Sequence, residues 1–455
     1  MKEVGLMKNK KIKISITVFI AIIVTFVGVK IIRENKIEEI ITNNTDKELE
    51  GEITFVSNRT DKKEELKTLI SEFEEKYPKV IVNLELIGDA EEILQRRAVL
   101  QELPDVTLVP AAIKTSEYEQ YFLDLDDLGF KEDNIYNYST GIGSDGKLYN
   151  VNTSISWSGI IYNKNVFKEL NINELPKTKE EFFNLCKVIK ENEITPIALN
   201  YKQVWIMNAW LDIAAYLFDV ELEKNIIVNN KDILSENSGV FEALNFVRSI
   251  YQNNYCEDNL LNYEWEQSKV DIKNGKVAMI FWNSDFKYQL EDIGMNMDDI
   301  GMFPLPDSKY IKVYGDYKIG VSKNTKYPEV SKAFLKFLFE EDRYANAVNI
   351  LSPLKGNLRN KNLIKELESY NIPIDIHGDT IKNQTVEDVR IHEQYDTVRR
   401  LAELDYSFVQ DYIISDDIEN LRNQMNIRWN ELKEKKIIFR ISFLCFLRWT
   451  YIYFS

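Results

Sequence analysis

An α/β fold built on a parallel sheet is what this chain's sequence predicts, and three observations predict it. From Gly51 onward, apolar stretches of strand length take turns with segments whose apolar residues recur at helical spacing. Five of these in a row (strand, helix, strand, helix, strand) lie at the spacing of βαβ units. The chain has 455 residues, 44% of them hydrophobic, with only 10 Pro and 17 Gly. That is enough for two or more core-forming units and too apolar for disorder.

The first segment stands outside that fold. Four lysines between Lys8 and Lys13 precede an apolar stretch from Ile14 to Ile32, broken by Lys30. As a helix it rises about 28 Å, close to the thickness of a bilayer core. Lys30 can snorkel to the interface, and the positive leading segment stays cytoplasmic. Residues 1–33 therefore read as an uncleaved membrane anchor. A signal peptide is the alternative, but no A-x-A-type cleavage site and no lipidation cysteine follow. The polar stretch 34–50 suits a linker.

The globular part opens with "GEITFVSNRTD", a strand running into a polar turn. "KKEELKTLISEFEEKYP" sets Leu66, Leu69, Ile70 and Phe73 on one helical face and is closed by Pro78. "KVIVNLELIG" is the second strand, "EEILQRRAVLQE" the second helix and "LPDVTLVPA" the third strand. Ligands of parallel sheets bind beyond the C-terminal strand ends. The first such end, Ser57 to Asp61, is the polar one, which makes Asn58, Arg59 and Asp61 binding candidates. Thr60 or Asp61 is also the expected cap of the next helix.

Further along, an extended "GKLYNVNTSISWSGIIYN" leads to a helix capped near Thr178 and the short strand "TPIALN". "VWIMNAWLDIAAYLF" reads as one buried helix and "SGVFEALNFVRSIYQNNY" as an amphipathic one. The run Val277 to Phe281 is continuous and apolar, a strand covered on both faces, yet it ends in Trp282, Asn283, Ser284 and Asp285. The helix-like "IENLRNQMNIRWNELKEKK" gives way at 437–455 to a hydrophobic tail without acidic residues. That tail is either aberrant or membrane-associating.

Charge and scarce residues exclude several functions. A net charge of −16 argues against a nucleic-acid binder, which needs a basic face. With only His377, His392 and three scattered cysteines, there is no CxxC, HExxH or Cys/His cluster, so no metal site is expected. Cys186 shares a helical face with Phe182 and Ile189 and reads as core. No Walker-type lysine loop is present, and no other cofactor is implied.

Five segments, in order, resemble one family: "GKLYNVNTSISWSGIIYNKNVF", "LPKTKEEFFNLCKVIKENEITPIAL", "IKNGKVAMIFWNSDF", "IGMFPLPD" and "GVSKNTKYPEVSKAFLKFL". With "LPDV" they cover most of residues 51–345. They are similar to the extracellular solute-binding proteins of carbohydrate ABC transporters, the maltose-binding-protein-like group of family 1. The resemblance implies a two-lobed periplasmic-binding-protein-like fold (type II) with a hinge and discontinuous domains. Lobe 1 would use 50–152 and 312–345, and lobe 2 would use 155–310 and 346–435. It implies a protein outside the cytoplasm, held at the cell membrane by its anchor, that captures a sugar or oligosaccharide and delivers it to permease subunits. The alternative is a membrane-anchored sensor of a sugar or other small solute that reports to a partner protein. Three features depart from the family: no lipidation cysteine, no Pro after Tyr149, and no recognisable motif from Leu351 to Asp411.

A sugar offers C–H faces for an aromatic ring and hydroxyls for carboxylates and amides. Trp282, Asn283 and Asp285 supply both within four residues. Trp157 lies at the expected crossing between lobes, Trp205 follows a strand, and Trp265 opens the helix before Gly275. Asp316, beside Gly315, is placed by the family at the return to the first lobe. Trp210 reads as core, and Trp429 and Trp449 as unrelated to binding. A glycoside hydrolase would need a carboxylate pair such as Asp285 and Asp316. Among 73 acidic residues such a pair can always be nominated, and no enzyme is expected.

Overall fold

The computed structural model describes residues 49–88 and 90–453, with side chains described as far as 435. The expected anchor and the side chains of the 437–455 tail lie outside the described residues. Among the described residues no helix is long and apolar enough to cross a membrane.

Among the described residues eleven strands, numbered in chain order, form two sheets with separate cores. The first sheet contains β1 (Glu50–Ser57), β2 (Lys79–Leu86), β3 (Val106–Leu108), β4 (Asn150–Asn152) and the late strand β10 (Lys318–Val321), in the order β2-β1-β3-β10-β4. β1 is parallel to β2 and β3, as the βαβ spacing requires. β10 runs antiparallel to both of its neighbours, because it enters this sheet on the way back from the other one. The helix Lys63–Lys76 buries Leu66, Leu69, Ile70 and Phe73, the four residues its periodicity selects. Each contributes about 1.5–3 kcal/mol by leaving water. Phe73 and Phe55 meet Phe334 edge-on, at 5.0 and 5.3 Å, which ties the late helix Pro328–Phe339 to this sheet.

The expected helix cap is not made. Thr60–Lys62 form a 3-10 turn, and neither Thr60 nor Asp61 caps the helix that follows. Asp61 is engaged by the Arg59 guanidinium, a charged donor that outcompetes the neutral backbone N–H.

The second sheet is built around β5 (Ile155–Asn163), buried almost throughout. β7 (Val277–Asn283) lies antiparallel along one edge of β5, and β6 (Thr195–Ala198) extends the sheet beyond β7. On the other edge lie β9 (Ile311–Gly315), near the start of β5, and β8 (Ile300–Phe303), near its end. β11 (Ile374–Ile376) pairs with β9. Gly159 permits the close approach of β8: a Cβ there would stand 2.4 Å from the Phe303 carbonyl oxygen. The helix Lys179–Glu191 begins at the expected cap, where Thr178 and Glu181 form a reciprocal capping box. It buries Cys186 as its face predicted.

"VWIMNAWLDIAAYLF" is not one helix. It divides into a 3-10 turn (Val204–Met207), a π-helical turn (Ala209–Ala214) and an α-turn (Ala215–Phe218). The change of pitch leaves Trp205 48% exposed while Trp210 is 2% exposed. The chain passes between the two sheets at 152–155 and at 315–318, and again between Val348 in the first core and Leu351 in the second.

Candidate functional site

Because β7 and β9 both run antiparallel to β5, they leave the second sheet at the same end. Asn283 lies opposite Ser158, and Tyr314 opposite Ser156. Asp285 and Asp316 therefore emerge on either side of the start of β5, their backbones about two strand spacings, ~10 Å, apart. β1 of the first sheet delivers Asn58 and Arg59 to the same place, where Asn58 acts on the Tyr317 hydroxyl. Thr153, between β4 and β5, donates to the Tyr317 carbonyl from its N–H (2.8 Å) and its hydroxyl (3.0 Å). Asn152 Nδ2 donates to the Asp316 carbonyl at 2.9 Å. Two crossings and three strand ends converge here.

The electrostatics are lopsided. Arg59 grips both oxygens of Asp61, at 2.9 and 2.7 Å, and donates to the Val348 carbonyl at 2.7 Å. Burial works against the Arg59 charge, but the Asp61 hydrogen bonds and charge outweigh it and its pKa is raised. Asp285 begins the helix Phe286–Asp292 without capping it; its Oδ1 is buried with no partner, and its Oδ2 accepts only from Gln289, at 3.4 Å. Burial pushes the Asp285 carboxyl up, against the pull of Arg59. Asp316 is exposed to water, with protein atoms close around its carboxyl. That surrounding, and then the Asp285 charge, push its carboxyl up to about 7. Asn283 Oδ1 accepts from Ser158 Oγ at 2.8 Å and from the Tyr314 hydroxyl, so its amide is held in a network. Ser284 joins Ser156 Oγ (3.1 Å) and the Trp157 N–H (3.2 Å).

Three of the four nominated tryptophans meet. Trp205 stands edge-on to Trp265 at 5.2 Å and to Trp282 at 5.5 Å, and Trp265 and Trp282 are 5.4 Å apart. Trp265 also contacts Phe286, at 4.9 Å, on the helix that follows Asp285. Trp282 is only 7% exposed, so the open ring of this cluster is Trp205. Trp157 is not brought to the site: it is 1% exposed and packs near Tyr370, at 6.2 Å. β5 is buried on both faces along all of its length but Tyr162, which is why a tryptophan at a crossing becomes core.

A separate groove of about 1560 Å³ is lined by none of the ten nominated residues. One wall, from the first-sheet side, includes Ala111, Lys114 and Tyr138; the other includes His392, Gln394 and Arg400 of the helix Val386–Ala402. It adjoins the strand ends, since the Ala111 N–H donates to Glu91 Oε1 at 2.8 Å and the Glu91 charge acts on Tyr317. Sequence reasoning missed this wall and also Tyr314, Tyr317 and Ser158, although "VYGDY" marked the segment carrying the two tyrosines. Side-chain contacts bridge the two halves around both areas. Lys62 Nζ meets Asp292 Oδ1 at 2.7 Å, and Lys382 Nζ meets Glu132 Oε1 at 2.6 Å. The Gly378 N–H donates to Asn137 Oδ1 at 2.9 Å.

Two α/β halves, joined by repeated crossings and presenting polar strand ends where they meet, define a solute-binding protein. The chain belongs to the bacterial extracellular solute-binding protein family, whose model matches residues 57–344. It is 25% identical over 161 residues to a multiple sugar-binding protein of Streptococcus mutans, an alignment covering 35% of this chain and only 38% of that protein. With an ABC transporter extracellular-binding protein of Pyrococcus horikoshii it shares 22% identity over 368 residues, 72% of this chain and 79% of the relative. Its fold is that of an ABC transporter binding protein of Bifidobacterium animalis subsp. lactis solved with mannobiose: TM-score 0.71, 24% identity, 85% of this chain and 95% of the other covered.

Proposed function

We propose that the chain captures a sugar or oligosaccharide between its two halves and hands it to the permease of an ABC transporter. The carrying observation is the tryptophan cluster: an open Trp205 ring backed by Trp265 and Trp282, at the strand ends that also present Asn283 and Asp285. An exposed ring held by two others offers a sugar face a large contact with little freedom to lose. Family membership supports solute capture, and the relatives' names support a saccharide and an ABC transporter as partners. The adjoining groove has room for more than one sugar unit.

In this reading the lobes comprise 50–152 with 312–345, and 155–310 with 346–435. The crossings act as the hinge, and closure around the ligand is what the permease senses. The apolar run Ile14–Ile32 holds the protein at the outer face of the membrane. The role is capture without chemistry, so Asp285 and Asp316 bind rather than hydrolyse.

The test is a titration of the full chain with mono- and oligosaccharides, read by tryptophan fluorescence and by ligand-induced melting shifts. A saturable response confined to one sugar class is expected. Silence in both readouts across the panel rejects a saccharide ligand, and release of reducing ends rejects a purely binding role.

A further inference from the structure

We infer that the solute carries a positive charge, so that the cleft takes an amino sugar with its protonated nitrogen held between Asp285 and Asp316. The inference rests on the saccharide reading above and deepens it.

Placement comes first. β7 and β9 flank β5 in the same sense, so the two carboxylates bracket one space from opposite sides. Charge comes second. The cations that the first sheet brings to this space are already spent, Arg59 on Asp61 and Lys62 on Asp292. Among the described residues no lysine or arginine forms an ion pair with Asp285 or Asp316. The four groups Arg59, Asp61, Asp285 and Asp316 sum to two negative charges only when both free carboxyls are ionised, a state that burial and their mutual repulsion resist until a cation arrives. Third, Asp285 Oδ1 is shut away from water with nothing donating to it. Neutral hydroxyls would supply donors yet leave the pair holding its proton. An ammonium supplies three N–H donors and cancels one of the charges. The flanking Tyr314 and Tyr317, on which both carboxylate charges act, add electron-rich rings that favour a cation.

Matched pairs test it: glucosamine against glucose, galactosamine against galactose, and the glucosamine disaccharide against cellobiose, each with its N-acetylated form. Calorimetry on the full chain at about pH 7, where the amine is still largely protonated and Asp316 can ionise, is expected to show one aminated member binding at least ~10-fold tighter than its hydroxyl partner. N-acetylation is expected to remove the advantage, and added salt to shrink it. Asp285→Asn and Asp316→Asn are each expected to weaken the aminated member more than its partner. Equal or tighter binding of the neutral members overturns the inference and leaves the saccharide reading standing. Binding of no member of any pair overturns the inference, and silence across the wider saccharide panel as well overturns both. Should either variant fail to fold, the amine-to-hydroxyl ratio in the unmodified chain decides alone.

Discussion

Trp205→Ala separates a ligand platform from mere packing. The ring is 48% exposed and stands edge-on to Trp265 and Trp282 at 5.2 and 5.5 Å. A tryptophan buries about 150–250 Å², so the open half is ~100 Å². A sugar covering half to all of it, at ~25 cal/mol per Å², gains about 1.3–2.5 kcal/mol. Loss of the ring therefore weakens Kd about 10- to 70-fold. The covered half and the two edge contacts cost the fold about 3 kcal/mol, so melting is recorded alongside calorimetry. Trp282→Ala is the contrast: that ring is 7% exposed, and its loss is expected to act mainly on stability, by about 3–5 kcal/mol. A folded Trp205→Ala protein that binds the wild-type saccharide within about twofold refutes the platform.

Lys62→Met breaks the 2.7 Å bridge to Asp292, whose side chains are 11% and 26% exposed, at a cost of about 1 kcal/mol to the contact between the halves. Scattering of the unliganded protein is expected to show a larger radius and Kd to weaken up to about fivefold; no change in either rejects a closing role. Asp316, with its carboxyl raised to about 7, keeps a proton in the folded state that the unfolded chain has lost. Its contribution is whole below about pH 4 and lost as pH rises through about 7, so the unliganded protein is expected to melt lower at about pH 8 than at about pH 5. Asp316→Asn is expected to flatten that part of the profile, and an unaltered profile counts against the assignment. Gly378→Ala would place a Cβ 2.5 Å from Asn137 Cα. The backbone must shift, at about 1–3 kcal/mol, and an unchanged urea midpoint would show the contact to be slack.

Local pattern made much of the fold legible. Leu66, Leu69, Ile70 and Phe73 announced a helical face, Thr178 announced a cap, and Val277 to Phe281 announced a strand covered on both sides. The antiparallel setting of β10 was not legible, because direction depends on which half the chain returns from. The broken helix at 204–218 escaped as well: apolar periodicity reports burial, and a π-helical turn buries nearly the same residues as an α-turn. At the site, sequence nominated Trp205, Trp265 and Trp282 one by one. Their meeting depends on β6 lying beside β7, a long-range pairing. Trp157 misled because position along the chain says nothing about side-chain exposure in a fully covered strand. The helix Val386–Ala402, one wall of the groove, carried no motif: its exposed face is a run of ordinary charged residues.

The place of β10 between β3 and β4 also dictates an order of events. The first sheet lacks its fourth strand until residues near 320 have been synthesised, and its core lacks Phe334 until slightly later. The second sheet waits for Ile374–Ile376 to complete its edge. Neither half can finish folding as it leaves the ribosome, since each borrows a strand from the last third of the chain. Such contacts, hundreds of residues apart, make folding slow. For a member of an extracellular family that delay is useful, because a chain still unfolded after some three hundred residues remains in a form that can be threaded through a membrane.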